Sequence, residues 1–313
     1  MTADAGFVHE ALFYSAPAEY VAGLVPFLTE GLAAGDPVAA AVPGPNLALL
    51  RDALGSDANR AHLLDMSVAG RNPGRIIAQV LRGFADRHPG AARVRIIGEP
   101  IWAGRSATEY PACAQHEALI NPAFEGRDVT IVCPYDTGAL DPVAIADAHV
   151  THPLVTEGGV RRESETYAWD ELVTRYNDKL EPSGEAVTYL VRHPDQLSGA
   201  RRALGAYALE YGLSERRAED LKLIATELAT NSLMHAGTPC ELSLWREDGE
   251  LVCSARDGGH LSDPLAGRRP PGRGQLSGRG LLLVNDLADL VRTYRAPDGT
   301  TIQARLRLDE KVL

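Results

Sequence analysis

The chain lacks any apolar run long enough to cross a bilayer, so no membrane insertion is expected. It also lacks a basic stretch followed by an apolar one behind Met1-Thr2-Ala3-Asp4-Ala5-Gly6, so no secretory signal is read and a cytoplasmic location is expected. Cysteine is sparse. Cys113, Cys133, Cys240 and Cys253 are widely spaced and form no CxxC pair, which suggests neither a zinc site nor a disulfide framework. An excess of positive charge is missing too: the formal net charge is −11. Because binding to a phosphate backbone rests on clustered Lys and Arg, direct contact with nucleic acid is not expected.

What is present describes a globular protein. The 313 residues are 45% hydrophobic and 23% charged, a length and balance that suit two domains, each with its own core. From Phe7 to about Pro153, short apolar strands alternate with amphipathic helices, the pattern of a parallel sheet wrapped by helices. The expected strands are Ala11–Tyr14, Val38–Val42, His62–Asp65, Val94–Gly98 and Val129–Cys133. Helices are expected over Pro17–Ala34 and over Pro73–Arg87, the second entered through Asn72 as N-cap.

Between Thr156 and Glu185 the sequence turns polar, with glycines at one end and Pro182-Ser183-Gly184 at the other. A linker is placed there, over 156–184, with a helix near Glu165–Lys179. The expected division is therefore a first domain over 7–155, this linker, and a second domain over 185–310. The second domain reads as strand (Ala186–Arg192), helix (Asp195–Tyr211), helix (Ser214–His235), strand (Cys240–Arg246), strand (Leu251–Arg256), long loop, short helix (Arg279–Asp286) and two final strands. That order gives an α+β sandwich with its helices on one face.

Three short stretches of this second half carry chemistry. On the helix after Ser214, Glu227 and Asn231 lie one turn apart, beside an apolar stripe of Leu221, Ile224, Ala225 and Leu228. A strand then ends in Asp257-Gly258-Gly259, a turn that lets backbone approach a ligand. Finally Ser277-Gly278-Arg279-Gly280-Leu281 leads into an apolar helix, whose free N–H groups and dipole favour an anion. The Gly/Pro/Arg-rich stretch before it is long for a loop inside a compact domain, and such loops are usually functional.

Taken together, E-x-x-x-N on a helix, D-G-G at a strand end and G-R-G-L at a helix start resemble the N, G1 and G2 boxes of the GHKL ATPases, over roughly Glu185–Leu308. The resemblance implies a two-layer sandwich that binds ATP and Mg²⁺. It assigns Glu227 as general base and Asn231 as the Mg²⁺ ligand. It also assigns Asp257 to the adenine amino group, Gly278, Arg279, Gly280 and Leu281 to the phosphates, and Gly259 and Thr300 to the nucleotide pocket. Where many relatives have D-x-G-x-G, this chain has Asp257-Gly258-Gly259-His260-Leu261, so the second glycine is absent. The short lid Leu261–Ser277 resembles the RsbW type of anti-sigma-factor serine kinase. That type implies a STAS-domain antagonist and a sigma factor as partners, with a homodimer left open. A binding module without catalysis and an atypical histidine kinase are the alternatives, though the expected linker helix contains no phosphoacceptor His.

In the first half, His9-Glu10-Ala11-Leu12-Phe13-Tyr14, Gly98-Glu99-Pro100-Ile101-Trp102, His116-Glu117-Ala118-Leu119-Ile120-Asn121 and Cys133-Pro134-Tyr135-Asp136 resemble the MEDS sensory domain. That resemblance implies a RecA-like three-layer fold with a small-molecule ligand. After the first strand stands Ser15-Ala16-Pro17-Ala18-Glu19 and no phosphate loop, so ATP is not expected to bind there. His9, Tyr14, Glu99, Trp102, Glu117 and Tyr135 fall near expected strand ends, where open α/β sheets bind ligands, and each reads first as a hydrogen-bonded core or turn residue and second as a ligand contact. No His/Glu pair stands at helical ligand spacing with a third ligand in view, so no metal is expected in this half.

Overall fold

The computed structural model describes residues 6–270 and 278–308, which divide between Tyr176 and Asn177 into two compact units. In the first, β1 (Val8–Tyr14) feeds α1 (Pro17–Ala34), then β2 (Val38–Val42), α2 (Gly44–Leu54) and β3 (His62–Asp65). Helical turns α3 (Met66–Ala69), α4 (Pro73–Arg75) and α5 (Arg82–Ala85) follow, the last two joined by a π-helical stretch Ile76–Leu81. The unit closes with β4 (Val94–Gly98), α6 (Tyr110–Phe124), β5 (Val129–Asp136), α7 (Pro142–Thr151), β6 (Leu154–Glu157), β7 (Val160–Glu163) and α8 (Trp169–Arg175).

Its sheet runs β3-β2-β4-β5-β1-β6-β7, parallel throughout except for β7, which turns back antiparallel along β6. The interior strand β2 reads as an unbroken apolar run, and all five of its residues are buried, as expected of a parallel strand covered on both faces. α1 begins with Pro17 in its first turn and stops at Gly35, whose φ of 79° requires glycine. Between those ends it lays Tyr20, Leu24, Leu28 and Leu32 on the sheet. Asn72 caps α4 as expected, its side chain accepting from Gly74 N at 3.0 Å.

One boundary differs from the sequence reading. The polar stretch from Thr156 onward is not a free linker: β6 pairs with β1 through Glu10, Ala11 and Leu12, β7 pairs with β6, and α8 buries Leu172 and Val173. β7 is exposed at all four positions, so an edge strand of this kind carries no apolar pattern. The single helix expected over 73–87 is likewise interrupted by its π-helical turns.

The second unit contains β8 (Val187–Val191), α9 (Leu197–Glu210), α10 (Glu215–Asn231), β9 (Cys240–Glu247), β10 (Glu250–Asp257), α11 (Gly280–Leu287), β11 (Leu290–Ala296) and β12 (Gly299–Arg307). Its antiparallel sheet has the order β11-β12-β10-β9-β8. The three helices share one core with the sheet: Leu204 of α9, Leu221, Ile224 and Leu228 of α10, and Val284 of α11 meet Leu242, Leu244, Cys253 and Ala304. α10 is started by Ser214, whose hydroxyl accepts from Arg217 N, and it passes into a π-helical turn, Ser232–Ala236. Among the described residues, no helix is long and apolar enough to cross a membrane.

Candidate functional site

In the second unit the apolar stripe of α10 faces the sheet, which leaves Glu227 and Asn231 half-buried on the flank toward the start of α11. There Gly280 opens the helix at close quarters. A Cβ on Gly280 would lie 2.5 Å from Glu227 Oε2 and 3.5 Å from both Asn231 side-chain atoms, so only glycine leaves room between these groups. Asn231 Nδ2 is buried and has no hydrogen-bond partner among the described residues. A carboxylate, an unpaired amide and a glycine gap thus converge on one spot, a donor set that suits a hard cation and an oxyanion.

The π-helical turn after Asn231 has a direct consequence. Ser232 bonds back to Leu228 O at 3.2 Å and also donates to Asp257 Oδ2 at 2.6 Å, tying the end of α10 to the end of β10. Asp257 Oδ1 accepts from Gly259 N at 2.8 Å, closing a tight turn. Thr300, opposite Asp257 on β12, donates to Gly259 O at 2.8 Å and accepts from Leu261 N at 3.1 Å. Gly259 lies so close to Ala236 that a Cβ would come within 2.3 Å of that methyl group. His260 is turned outward, with its Nδ1 at 2.9 Å from Ala296 O.

Glu227, Asn231 and Gly280 therefore meet, and Asp257, Gly259 and Thr300 form an adjoining bonded turn. Gly278 and Arg279 are exposed, Gly278 with a φ of 93°, and Arg279 caps α11 without a side-chain bond. Leu281 points into the core, so only its backbone N–H is free to serve a ligand. Of the expected lid Leu261–Ser277, residues 261–270 are tied down: Gly267 sits against Leu281, and Asn285 donates to Gly267 O at 2.9 Å. Residues 271–277 of that lid lie outside the described residues. Ser232, Thr238 and Asn285 were missed by the sequence reading; Thr238 accepts from Gly258 N at 3.2 Å. The adjacency of Ser232 to Asn231 was the available signal.

Residues 8–153 match the family model of the MEthanogen/methylotroph, DcmR Sensory domain, MEDS, and residues 190–306 match that of the histidine kinase-like ATPase domain. The chain joins a MEDS domain to a histidine kinase-like ATPase domain. No curated protein matches it. Among solved structures, it is similar at 16% identity to the RsbU and RsbW domains of a Mycobacterium tuberculosis protein, with a TM-score of 0.32 over 41% of this chain. The chain spans only 33% of that protein's length. The SiaB–SiaC complex of Pseudomonas aeruginosa is similar at 15% identity and a TM-score of 0.33, over 38% of this chain and 88% of that one.

In the MEDS domain the expected ligand-site residues separate into groups. Tyr14 and Glu99, at the ends of β1 and β4, meet Tyr20 and Asn46: Asn46 Nδ2 donates to both Glu99 oxygens at 2.8 and 3.0 Å, and Tyr20 donates to Oε2 at 3.2 Å. Trp102 lies under the Arg105 guanidinium, 3.9 Å from the ring centroid. His9 and Glu117 instead lie inside the core, with Cys133 and His152.

Burial pushes the Glu99 carboxyl up to about 8, against the opposing hydrogen bonds from Asn46 and Tyr20. Above pH 4.5 the unfolded chain releases this proton while the folded one keeps it, so the contribution to stability is complete below pH 4.5 and is lost as pH rises through about 8. Glu99→Gln removes the titration. Melting temperatures of parent and variant at pH 5 and pH 9 should therefore diverge, with the parent losing ground at pH 9; a constant difference would contradict the assigned environment.

Proposed function

We propose that this chain is a sensor-linked anti-sigma factor that transfers a phosphoryl group from ATP to a serine of a STAS-domain antagonist and so governs a sigma factor. The observation that carries the reading is the meeting of Glu227, Asn231 and Gly280 beside the Asp257 turn. Bound ATP with Mg²⁺ would supply the phosphoryl group and neutralise its charge. Asn231 would hold the metal through its amide oxygen, and the N–H groups of Gly278, Arg279, Gly280 and Leu281 at the start of α11 would hold the phosphates. Glu227 would take the proton of the attacking serine hydroxyl on its carboxylate. Each Asp257 oxygen already accepts one bond within the protein, from Ser232 or from Gly259, and each keeps a second lone pair that the adenine amino group can use.

The MEDS domain would be the input, a RecA-like layer structure without a phosphate loop. Consistent with that reading, the turn after β1 is closed by its own chain, with Glu19 Oε2 accepting from Ser15 N at 2.7 Å and from Ser15 Oγ at 2.9 Å. Tyr14, Tyr20, Asn46 and Glu99 would contact a small polar ligand, and the stretch after α8 would join the two domains. One observation favours a module that binds ATP without transferring phosphate: Leu261 stands where relatives have glycine, and its N–H is taken by Thr300.

Asp257→Asn tests the nucleotide assignment. It turns an acceptor into a donor at a site that must accept, which should cost about 1–3 kcal/mol, or roughly 5- to 150-fold in ATP affinity. Calorimetric titration of the full chain with Mg-ATP measures this, and equal affinity in the two proteins would remove Asp257 from the site.

A further inference from the structure

Four side chains from four elements meet in the interior of the MEDS domain: His9 of β1, Glu117 of α6, Cys133 of β5 and His152, which ends α7. All four are buried, and their ligating atoms lie within 4.8 Å of one another. His152 Nε2 stands 3.2 Å and His9 Nε2 3.4 Å from the same oxygen, Glu117 Oε2, and Cys133 Sγ is 3.6 Å from His9 Nε2. Donors bound at zinc distances at the corners of a tetrahedron are separated by about 3.3–3.7 Å, so these three spacings are close to those between neighbouring ligands of one ion.

The outward hydrogen bonds decide which atoms face that point. Asn121 Nδ2 donates to Ala118 O at 3.0 Å and to Thr151 O at 2.8 Å, which turns Asn121 Oδ1 toward His9 Nδ1 at 3.2 Å. His9 Nδ1 must therefore carry the hydrogen, leaving a lone pair on Nε2. His152 Nδ1 lies 2.8 Å from the carbonyl oxygen of Ala148, which only accepts, and 2.9 Å from Thr151 Oγ1, which spends its own hydrogen on Asp147 O at 3.0 Å; Nδ1 therefore donates, and in the neutral ring Nε2 presents a lone pair inward. That lone pair confronts the Glu117 carboxylate, and neither Glu117 oxygen nor His152 Nε2 makes a hydrogen bond among the described residues. Acceptors facing one another without a proton, out of reach of water, are costly. A proton on His152 would relieve one of these contacts. It would not account for Cys133 gathering with His9 and His152 around Glu117, nor for two imidazoles whose outer nitrogens are both held, the arrangement that orients metal-ligating histidines.

We infer that His9 Nε2, His152 Nε2, Cys133 Sγ and Glu117 bind one divalent transition-metal ion of the zinc class. Coordination replaces the Cys133 thiol proton, which leaves to solvent, and the thiolate, the carboxylate and the 2+ ion then sum to zero charge with two neutral imidazoles. Two nitrogens, a sulfur and an oxygen are a borderline-soft set suited to zinc and unsuited to Mg²⁺ or Ca²⁺. With four protein ligands the shell is closed, so the ion pins β1, β5, α6 and the end of α7 together and leaves no open position for catalysis.

The test uses the full chain, purified under reducing conditions without chelator, with metal content measured by mass spectrometry. About one zinc per chain is expected. Removing it with chelator in mild urea should lower the melting temperature, and Zn²⁺ but not Mg²⁺ should restore it. Refolding with Co²⁺ should give a tetrahedral cobalt spectrum with thiolate charge-transfer absorption. In Cys133→Ser that absorption should vanish while Cys113, Cys240 and Cys253 remain; if this variant does not fold, the chelation and restoration of the parent stand as the test. A folded parent that holds under about a tenth of an equivalent of zinc and takes up neither Zn²⁺ nor Co²⁺ on refolding would overturn the inference and leave a dry His–Glu ion pair. A thiolate band unchanged in Cys133→Ser would overturn it equally.

Discussion

Glu227→Gln should lower phosphorylation of the antagonist by about 10²–10⁴-fold while leaving ATP affinity nearly unchanged. The substitution keeps the size of the side chain and an oxygen acceptor but removes the base. The gap at Gly280 places the carboxylate beside the start of α11, where an incoming hydroxyl and a phosphate would meet. Asn231→Ala should behave differently. Losing the amide oxygen removes a metal ligand, so Mg²⁺-dependent ATP binding itself should weaken. Transfer of labelled phosphate, with nucleotide affinity measured in parallel, separates the two effects. If both variants phosphorylate the antagonist at the parental rate, the roles given to Glu227 and Asn231 are wrong. If the parent binds an antagonist in an ATP-dependent way but transfers nothing, the module without catalysis is the right reading.

The three motifs of the second unit were legible because each is local. Glu227 and Asn231 are one turn apart on a helix, Asp257 ends its strand, and Gly280 starts a helix, so spacing within single elements was enough to propose the convergence that the fold produces. Strands buried on both faces were legible for a related reason: Val38–Val42 and Val94–Gly98 carry the bounds read from their apolar runs, and the edge strand His62–Asp65 was bounded by its flanking polar residues. Patterns failed where polarity interrupted them. β1 begins at Val8, but the polar residues His9 and Glu10 hid its first half. β5 runs on through Pro134 to Asp136, and β7 has no buried residue to betray it. The buried cluster was invisible for a deeper reason. Its four members come from β1, α6, β5 and the end of α7, so no spacing within one element relates them, and only the parallel pairing of β1 with β5 and the packing of two helices bring them together. His9 and Glu117 are the core residues that their type and place first suggested, but nothing in the sequence says that they share that core with each other.

Gly280→Ala should cost about 10²-fold in phosphoryl transfer with little loss of stability, although it replaces no charged group. The new methyl would stand 2.5 Å from Glu227 Oε2, too close to coexist. What yields is decided by stiffness. The other neighbours, the Asn231 side-chain atoms, are 3.5 Å away, and the contact that must give is the far end of a flexible side chain, so the carboxylate moves and the helix stays. Gly280 lies within α11 and is not among the glycines with positive φ, so alanine fits its backbone and, as the better helix former, offsets any local strain. Displacing a catalytic group by about 1 Å is enough for a loss of roughly 10²-fold. The double variant Glu227→Gln/Gly280→Ala sharpens the test. If the methyl acts by moving the carboxylate, its effect should largely disappear once the carboxylate is gone, so the two losses should be far from additive. Additive losses would mean that Gly280 serves the phosphates through its own N–H, independently of Glu227. A melting temperature lowered by many degrees in Gly280→Ala would mean instead that the helix, not the side chain, gave way.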